Sequence, residues 1–291
     1  MTYRSIFRPG LFAGQTIIVT GGGSGIGRCT AHELAALGAQ VSLIGRTAEK
    51  LEKVRAEIGA DYVTTHICDI RDEAAVKDTV AAIIAVHGRI DGLVNNAGGQ
   101  YPAPLKTISA KGWDAVVKNN LTGGFLMARE CYTQAMEAGG GAIVNIIADM
   151  WHGMPGMGHS GAARAGMLNF TETAACEWAI SGVRVNAVAP GYIATSGFDT
   201  YPPEYMEQAK HIARKVPLQR FGNEAEVSAA IVFLLSVAAA YITGAVLRVD
   251  GGTPNARPTW PLPAHDRSQP FDGFPLYQWP HALRKNGDLK G

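Results

Sequence analysis

The chain has 291 residues, 47% apolar and 18% charged, a composition that supports a sizeable buried core and excludes general disorder. Its formal net charge of +1, without any Lys/Arg block, excludes the long-range field that nucleic acid or an anionic membrane would require. Small-molecule partners are therefore expected. The four cysteines, Cys29, Cys68, Cys131 and Cys176, are far apart and contain no C-x-x-C pair, so reduced thiols are expected rather than a disulfide framework or a metal site. Met1 to Gly10 carries Arg4 and Arg8 but no apolar signal region, and a cytoplasmic protein is expected.

In chain order, strands are predicted at Thr16–Thr20, Val41–Ile44, Tyr62–His66, Gly92–Asn95, Ala142–Ile147, Val183–Val188 and Val246–Val249. Their apolar character is nearly continuous, as in parallel strands covered on both faces. Helices are predicted between them at Ile26–Leu37, Ala48–Ile58, Glu73–His87, Ser109–Ala138 (open to a break at Gly123-Gly124), Ser160–Ile180 and Asn223–Leu235. The alternation implies an α/β fold, a single-domain Rossmann-type doubly wound seven-stranded parallel sheet over residues 1–252. The most apolar stretch, Ala229 to Val246, is interrupted by Ser236, Thr243 and Gly244 and reads as a helix end, a turn and a strand start rather than a membrane span. The tail 253–291 is Pro-rich yet carries Trp260, Phe271, Phe274, Tyr277 and Trp279, which implies packing on its own subunit or across a neighbour.

Directly after the first strand comes Thr20-Gly21-Gly22-Gly23-Ser24-Gly25-Ile26-Gly27, followed at once by a helix. Glycines let a backbone approach a diphosphate closely, and the helix start offers free N–H groups and positive dipole; a plain tight turn is the alternative. The second strand, Val41-Ser42-Leu43-Ile44, runs into Gly45-Arg46-Thr47. The acid that holds ribose hydroxyls in NAD-binding folds is missing there, and Arg46 stands beside its place, which suits the 2′-phosphate of NADP(H). A solvated residue at a helix start is the alternative reading of Arg46.

These turns, with Cys68-Asp69-Ile70, Asn95-Asn96-Ala97-Gly98, Asn120-Leu121, and Pro190-Gly191 followed by Thr195, resemble the ordered motifs of the short-chain dehydrogenase/reductase family across about residues 12 to 252. The resemblance implies a sheet of order 3-2-1-4-5-6-7 and homotetramers. It implies further that Gly21, Ser24, Gly25, Ile26 and Gly27 cradle the cofactor, and that Asp69 bonds the adenine amino group. Asn96, Ala97 and Gly98 would flank the adenosine ribose, Ile193 and Thr195 would meet the nicotinamide carboxamide, and Pro190 and Gly191 would belong to the same cofactor-binding set.

The family's usual catalytic set is Ser, Tyr-x-x-x-Lys and Asn. Here Ser160 stands in the tyrosine position, Arg164 in the lysine position, and Ile147 or Ala148 where serine is expected, while Asn120 is retained. Four residues apart on a helix, Ser160 and Arg164 share a face. Arg164 can bind ribose but cannot relay protons as a tuned lysine can, and Ser160 can donate a hydrogen bond without behaving as an activated phenol. An N-cap is the competing role for Ser160.

This replacement is easier to reconcile with reduction of a C=C bond conjugated to a carbonyl, in which the oxygen needs hydrogen-bond donors, than with alcohol oxidation. Asn120, Ser160 and Arg164 are the expected catalytic residues; Asp149, His152 and His159 are candidate proton donors, each with a bland reading as a polar loop residue. The stretch His159 to Gly166, with Asn95 to Gln100 and Lys111-Gly112-Trp113, resembles peroxisomal trans-2-enoyl-CoA reductases, and the 2,4-dienoyl-CoA reductases share the missing tyrosine. The whole chain also resembles bacterial citronellol/citronellal dehydrogenase-like proteins. The expected activity is NADPH-dependent reduction of a 2-enoyl-CoA-type thioester. The alternatives are an NAD(P)-dependent dehydrogenase of acyclic terpenoid alcohols or aldehydes and a non-catalytic NADP(H)-binding protein.

Met150 to Gly158 combines methionines, Trp151 and glycines, an adaptable apolar wall for an acyl or isoprenoid chain or, equally, ordinary loop packing. The 192–218 region reads as a substrate lid. Its cations Lys210, Arg214 and Lys215, with Arg220, could meet a CoA phosphate, although a solvated helix face explains them better.

Overall fold

The computed structural model describes residues 2–209, 211–256 and 259–284. Lys210 and the last seven residues of the tail lie outside them.

Seven strands, β1 (Thr16–Thr20), β2 (Gln40–Gly45), β3 (Val63–Ile67), β4 (Gly92–Asn95), β5 (Gly141–Ile146), β6 (Val183–Pro190) and β7 (Val246–Val249), form one parallel sheet of order β3-β2-β1-β4-β5-β6-β7. The register of β1 sets Ile17 beside Val41 of β2 on one side and Gly92 of β4 on the other. Successive strand residues point to opposite faces. Ile17, Val19, Val41 and Leu43 pack under helices α1 (Gly25–Ala36), α2 (Ala48–Ile58) and α9 (Glu224–Leu235), while Ile18, Ile44, Leu93 and Ile143 pack under α3 (Glu73–His87), α5 (Gly123–Cys131) and α7 (Gly158–Glu177). Both faces are thus covered, which is why the strands read as unbroken apolar runs. Because strand order reverses between β1 and β4, a crevice opens at the carboxyl ends of the sheet.

The Ser109–Ala138 helix, left open to a break at Gly123-Gly124, is helical through both glycines. Helix α4 (Ala110–Val117) continues into α5 through a π turn at Lys118–Thr122, and a second π turn at Tyr132–Met136 leads into the short α6 (Glu137–Gly139). The two glycines serve packing: a Cβ at Gly123 would lie 2.7 Å from Ile70, and one at Gly124 2.5 Å from the Met167 methyl group. Helix α7 starts two residues before the predicted Ser160, with Met157 at its N-cap, so Ser160 lies within the first turn and is not the cap. After a short α8 (Pro203–Ala209), Asn223 and Glu226 close a capping box that starts α9.

The described part of the tail packs on its own chain. Phe274 is buried against Tyr3, Cys29 and Ala225, the Tyr277 hydroxyl donates to the Ala194 carbonyl at 3.0 Å, and Leu283 joins Phe198, Met206 and Phe221 in a small apolar cluster.

Candidate active site

At the end of β1, Gly21 adopts a left-handed φ of 65° and the turn folds back on α1. A Cβ on Gly27 would stand 2.5 Å from the Gly21 carbonyl oxygen, which no side chain tolerates. The Thr20 hydroxyl accepts from the Asn96 and Ala97 amides at 3.0 and 2.9 Å, and the Asn96 side chain donates to the Thr20 carbonyl at 2.9 Å, tying the turn to the end of β4. At the N-terminus of α1 the Ser24 hydroxyl makes no capping bond, and no acid stands in the first turn. This helix start therefore keeps the dipole and unbonded donors that an anion would require.

A cavity of about 230 Å³ in front of this turn is lined by Gly21, Ser24, Arg46, Lys50, Asp69, Ala97 and, at its inner end, Asn96 and Gly98. Arg46 is exposed and, among the described residues, has no salt-bridge partner. Asp69 is clamped by Arg71 at 2.5 Å, and these hydrogen bonds hold its carboxyl down at about 2. Behind the turn, the Glu224 carboxylate lies 3.9 Å from where a Cβ on Gly25 would stand, and burial pushes it up to about 7.

A second cavity of about 560 Å³ shares Asn96 and Gly98 with the first, so the two form one trough. Ile26, Arg164, Pro190, Gly191, Ile193 and Thr195 line this larger part, as do Ile147, Ala148 and Asp149 after β5 and Trp151, Met154 and Met157 in the following loop. The segment between β6 and α9 contributes Tyr192, Phe198, Tyr201 and Tyr205, so the walls are mainly apolar and aromatic.

The trough thus brings together most of the sequence-predicted cofactor residues, with Gly25 and Gly27 in its supporting turn. The three expected catalytic residues divide. Arg164 lines the cavity: it is buried, its Nη1 donates to the Ile146 carbonyl at 2.5 Å, and its Nε has no partner. Burial pushes it down to about 10, which leaves it charged at neutral pH. A Cβ on Gly98 would lie 2.6 Å from both the Arg164 Nη2 and the Asn120 Oδ1, so glycine is needed for this approach.

Asn120 and Ser160 line neither cavity. The Asn120 Nδ2 donates to the carbonyls of Gly99 and Val116 at 2.7 and 2.8 Å, and its Oδ1 accepts from the Gly99 amide. Both of its donor hydrogens serve backbone, so its side chain offers the cavity no further N–H. Ser160 is fully buried and donates to the Gln100 Oε1 at 2.5 Å. Of the candidate proton donors, Asp149 lines the cavity, with its carboxyl raised by burial and by Asp250. His152 is exposed with a left-handed φ of 69°, and His159 is buried edge-on against Tyr101. Arg220, a candidate for CoA phosphate, is paired with Glu226 at 2.6 Å.

Two residues escaped the sequence reading of the chemistry. Gln100 receives the Ser160 hydrogen bond and passes one on, its Nε2 donating to the Tyr201 hydroxyl at 3.2 Å. Gln100 did stand at the end of a recognised motif, but no spacing rule connects positions 100, 160 and 201.

No described helix is long and apolar enough to cross a membrane, and no described cluster of His, Cys, Asp or Glu could hold a metal ion.

A family model described as enoyl-(acyl carrier protein) reductase matches residues 21–254. The solved structure of a citronellol catabolism dehydrogenase (AtuB) from Pseudomonas aeruginosa PAO1 is similar at 62% identity and a TM-score of 0.78, covering 86% of this chain and 99% of that one. A probable 2,4-dienoyl-CoA reductase of Bacillus subtilis is 37% identical over 249 residues, 82% of this chain and 96% of that protein. A peroxisomal 2,4-dienoyl-CoA reductase of Danio rerio is 35% identical, over 86% of this chain and 85% of its own length. With this likeness, the parallel sheet and the glycine turn at its switch point, the chain belongs to the short-chain dehydrogenase/reductase family of oxidoreductases.

Proposed function

We propose that the protein is an NADP(H)-dependent reductase of an α,β-unsaturated acyl thioester of the 2-enoyl-CoA type. The observation that carries this reading is the pair on α7. Ser160 and Arg164 replace a phenol and a lysine, Ser160 faces Gln100 rather than the cavity, and Arg164 stays charged. That arrangement lacks the proton relay on which alcohol oxidation depends, whereas C=C reduction needs hydride at the β-carbon and hydrogen bonds to the carbonyl oxygen. Likeness to two dienoyl-CoA reductases supports it.

The residues fit the cofactor. Ser24, Gly25 and the start of α1 would hold the diphosphate, Arg46 with Lys50 the 2′-phosphate, Asp69 the adenine amino group and Arg164 the nicotinamide ribose. Ile193 and Thr195 would meet the carboxamide. Bound there, NADPH supplies the hydride. Asn120 and Ser160 act on the site at one remove, by fixing Gly99 and Gln100. The apolar walls suit an acyl or isoprenoid chain, and the 192–218 segment would serve as its lid. Exposed Trp113 on α4, Phe125 on α5 and Leu247 on edge strand β7 offer apolar surface for a homotetramer, which we assign to the cytoplasm.

A second reading, an NAD(P)-dependent dehydrogenase of acyclic terpenoid alcohols or aldehydes, is favoured by the 62% identity to the citronellol catabolism dehydrogenase. The test is loss of NADPH absorbance with crotonyl-CoA, trans-2-decenoyl-CoA and citronellal supplied separately. Oxidation with an enoyl-CoA is expected; oxidation with citronellal alone would select the second reading.

A further inference from the structure

The α7 position that carries the phenol elsewhere in the family is a serine turned away from the cavity, yet the cavity does contain a phenol from another element. Tyr201, just after the 3₁₀ turn Ser196–Thr200, lines it together with Arg164. Its hydroxyl accepts from the Gln100 Nε2 at 3.2 Å, and Gln100 is itself held by Ser160 at 2.5 Å. Accepting that bond leaves the Tyr201 O–H free to donate, and a chain of fixed polar groups orients it. The buried Arg164 guanidinium lines the same cavity, and its positive charge favours negative charge developing there. Tyr201 is half-buried, and Met154 and Trp151 form the apolar wall of the same cavity.

We infer that Tyr201 is a catalytic residue that donates its hydroxyl hydrogen bond to the substrate carbonyl oxygen, replacing from the β6–α9 segment the phenol absent from α7. The inference rests on the reductase reading above and deepens it. A reduced nicotinamide dinucleotide bound in the trough would supply hydride to the β-carbon, and the C=C π pair would then shift to make an enolate at the thioester oxygen. The Tyr201 hydroxyl stabilises that oxygen. As the enolate collapses, the α-carbon takes a proton from solvent, which reaches the cavity past exposed Gly153 and Pro155. One hydride and one proton saturate the bond, and the dinucleotide is oxidised. Gln100 is a positioning residue in this scheme.

The test compares the full-length protein with Tyr201→Phe and Gln100→Ala, using trans-2-decenoyl-CoA and NADPH. Fluorescence titration with NADPH reports separately on folding and cofactor binding. Tyr201→Phe is expected to lower kcat about a hundredfold, with KM within threefold and NADPH affinity within twofold, because an oxyanion donor acts mainly in the transition state. Gln100→Ala is expected to lower kcat only about tenfold. A Tyr201→Phe kcat within threefold of the parent, or a Gln100→Ala loss as large as the Tyr201→Phe loss, would overturn the inference. If the parent reduces citronellal and no enoyl thioester, the substrate reading fails, and the same pair is measured on citronellal, whose carbonyl oxygen needs the same donor. A parent inactive on both overturns the catalytic role together with the reductase reading.

Discussion

At the end of the trough over the glycine turn, Gly21, Ser24, Arg46 and Asp69 come from the turns that follow three adjacent strands, β1, β2 and β3. At the other end, Gln100, Arg164 and Tyr201 come from the β4 loop, the α7 helix and the segment after β6, and the described tail supports the last of these through Tyr277 and Leu283. The first region depends on backbone: glycines that cannot carry a Cβ, amides at a helix start and one guanidinium. The second depends on where side chains turn after packing. Damage to the first should therefore abolish cofactor binding, whereas damage to the second should spare the cofactor and alter substrate handling.

Gly27→Val should produce the largest effect on binding. Its Cβ would meet the Gly21 carbonyl oxygen at 2.5 Å, so the turn must open. NADPH affinity is expected to fall by more than about a hundredfold, and overpacking should cost roughly 1–3 kcal/mol of stability. Fluorescence titration and thermal unfolding measure both; unchanged NADPH binding would show that the cradle does not depend on this close approach.

Arg46→Ala tests cofactor choice within the same region. Loss of a charge-assisted contact worth about 1.5–3 kcal/mol should weaken NADPH roughly tenfold to a hundredfold while leaving NADH within about twofold. Equal weakening of both dinucleotides would contradict the 2′-phosphate assignment.

Leu283→Ala probes the other region. Leu283 is buried with Phe198, Met206 and Phe221, and truncation should loosen the Ser196–Thr200 turn that leads into Tyr201. A loss of about 2 kcal/mol in that local cluster is expected to raise the substrate KM about tenfold with NADPH affinity unchanged. Steady-state kinetics in both substrates would show it; a parallel loss of NADPH affinity would mean that the two ends are not separable.

The smallest effect on binding is expected for Glu224→Gln, whose consequence lies in stability. Burial holds the folded-state carboxyl at about 7, above its ordinary 4.5, so the native state binds more protons than the unfolded chain between these values. Stability therefore falls as pH rises across that window, by at most about 1.4 kcal/mol per pH unit. The glutamine variant should flatten the decline, measured as urea unfolding free energy at pH 5 and pH 7.5. An unaltered slope would place the titrating group elsewhere.

Read alone, the sequence determined the seven strands and the doubly wound sheet, because apolar continuity and helical spacing are properties of neighbouring residues. Tyr62–His66 is offset by one residue from the observed β3, and no other strand end shifts by more than two, the largest being β6, which runs on from Val188 to Pro190. The positions of the glycine turn and of Arg46 were legible for the same reason: they follow their strands directly, one as backbone and the other as an exposed charge. Tertiary structure alone decided the rest. Gly123-Gly124, where propensity left a break open, is helical, and its glycines leave Ile70 and Met167 the space that side chains would fill. Ser160, a plausible cap or donor by position, is rotated onto Gln100, and Asn120 spends its amide on Gly99 and Val116. Tyr201 meets Gln100 across 101 residues of chain. Hydrogen-bond partners of buried side chains are selected by the packing of distant elements, and no local periodicity encodes that choice.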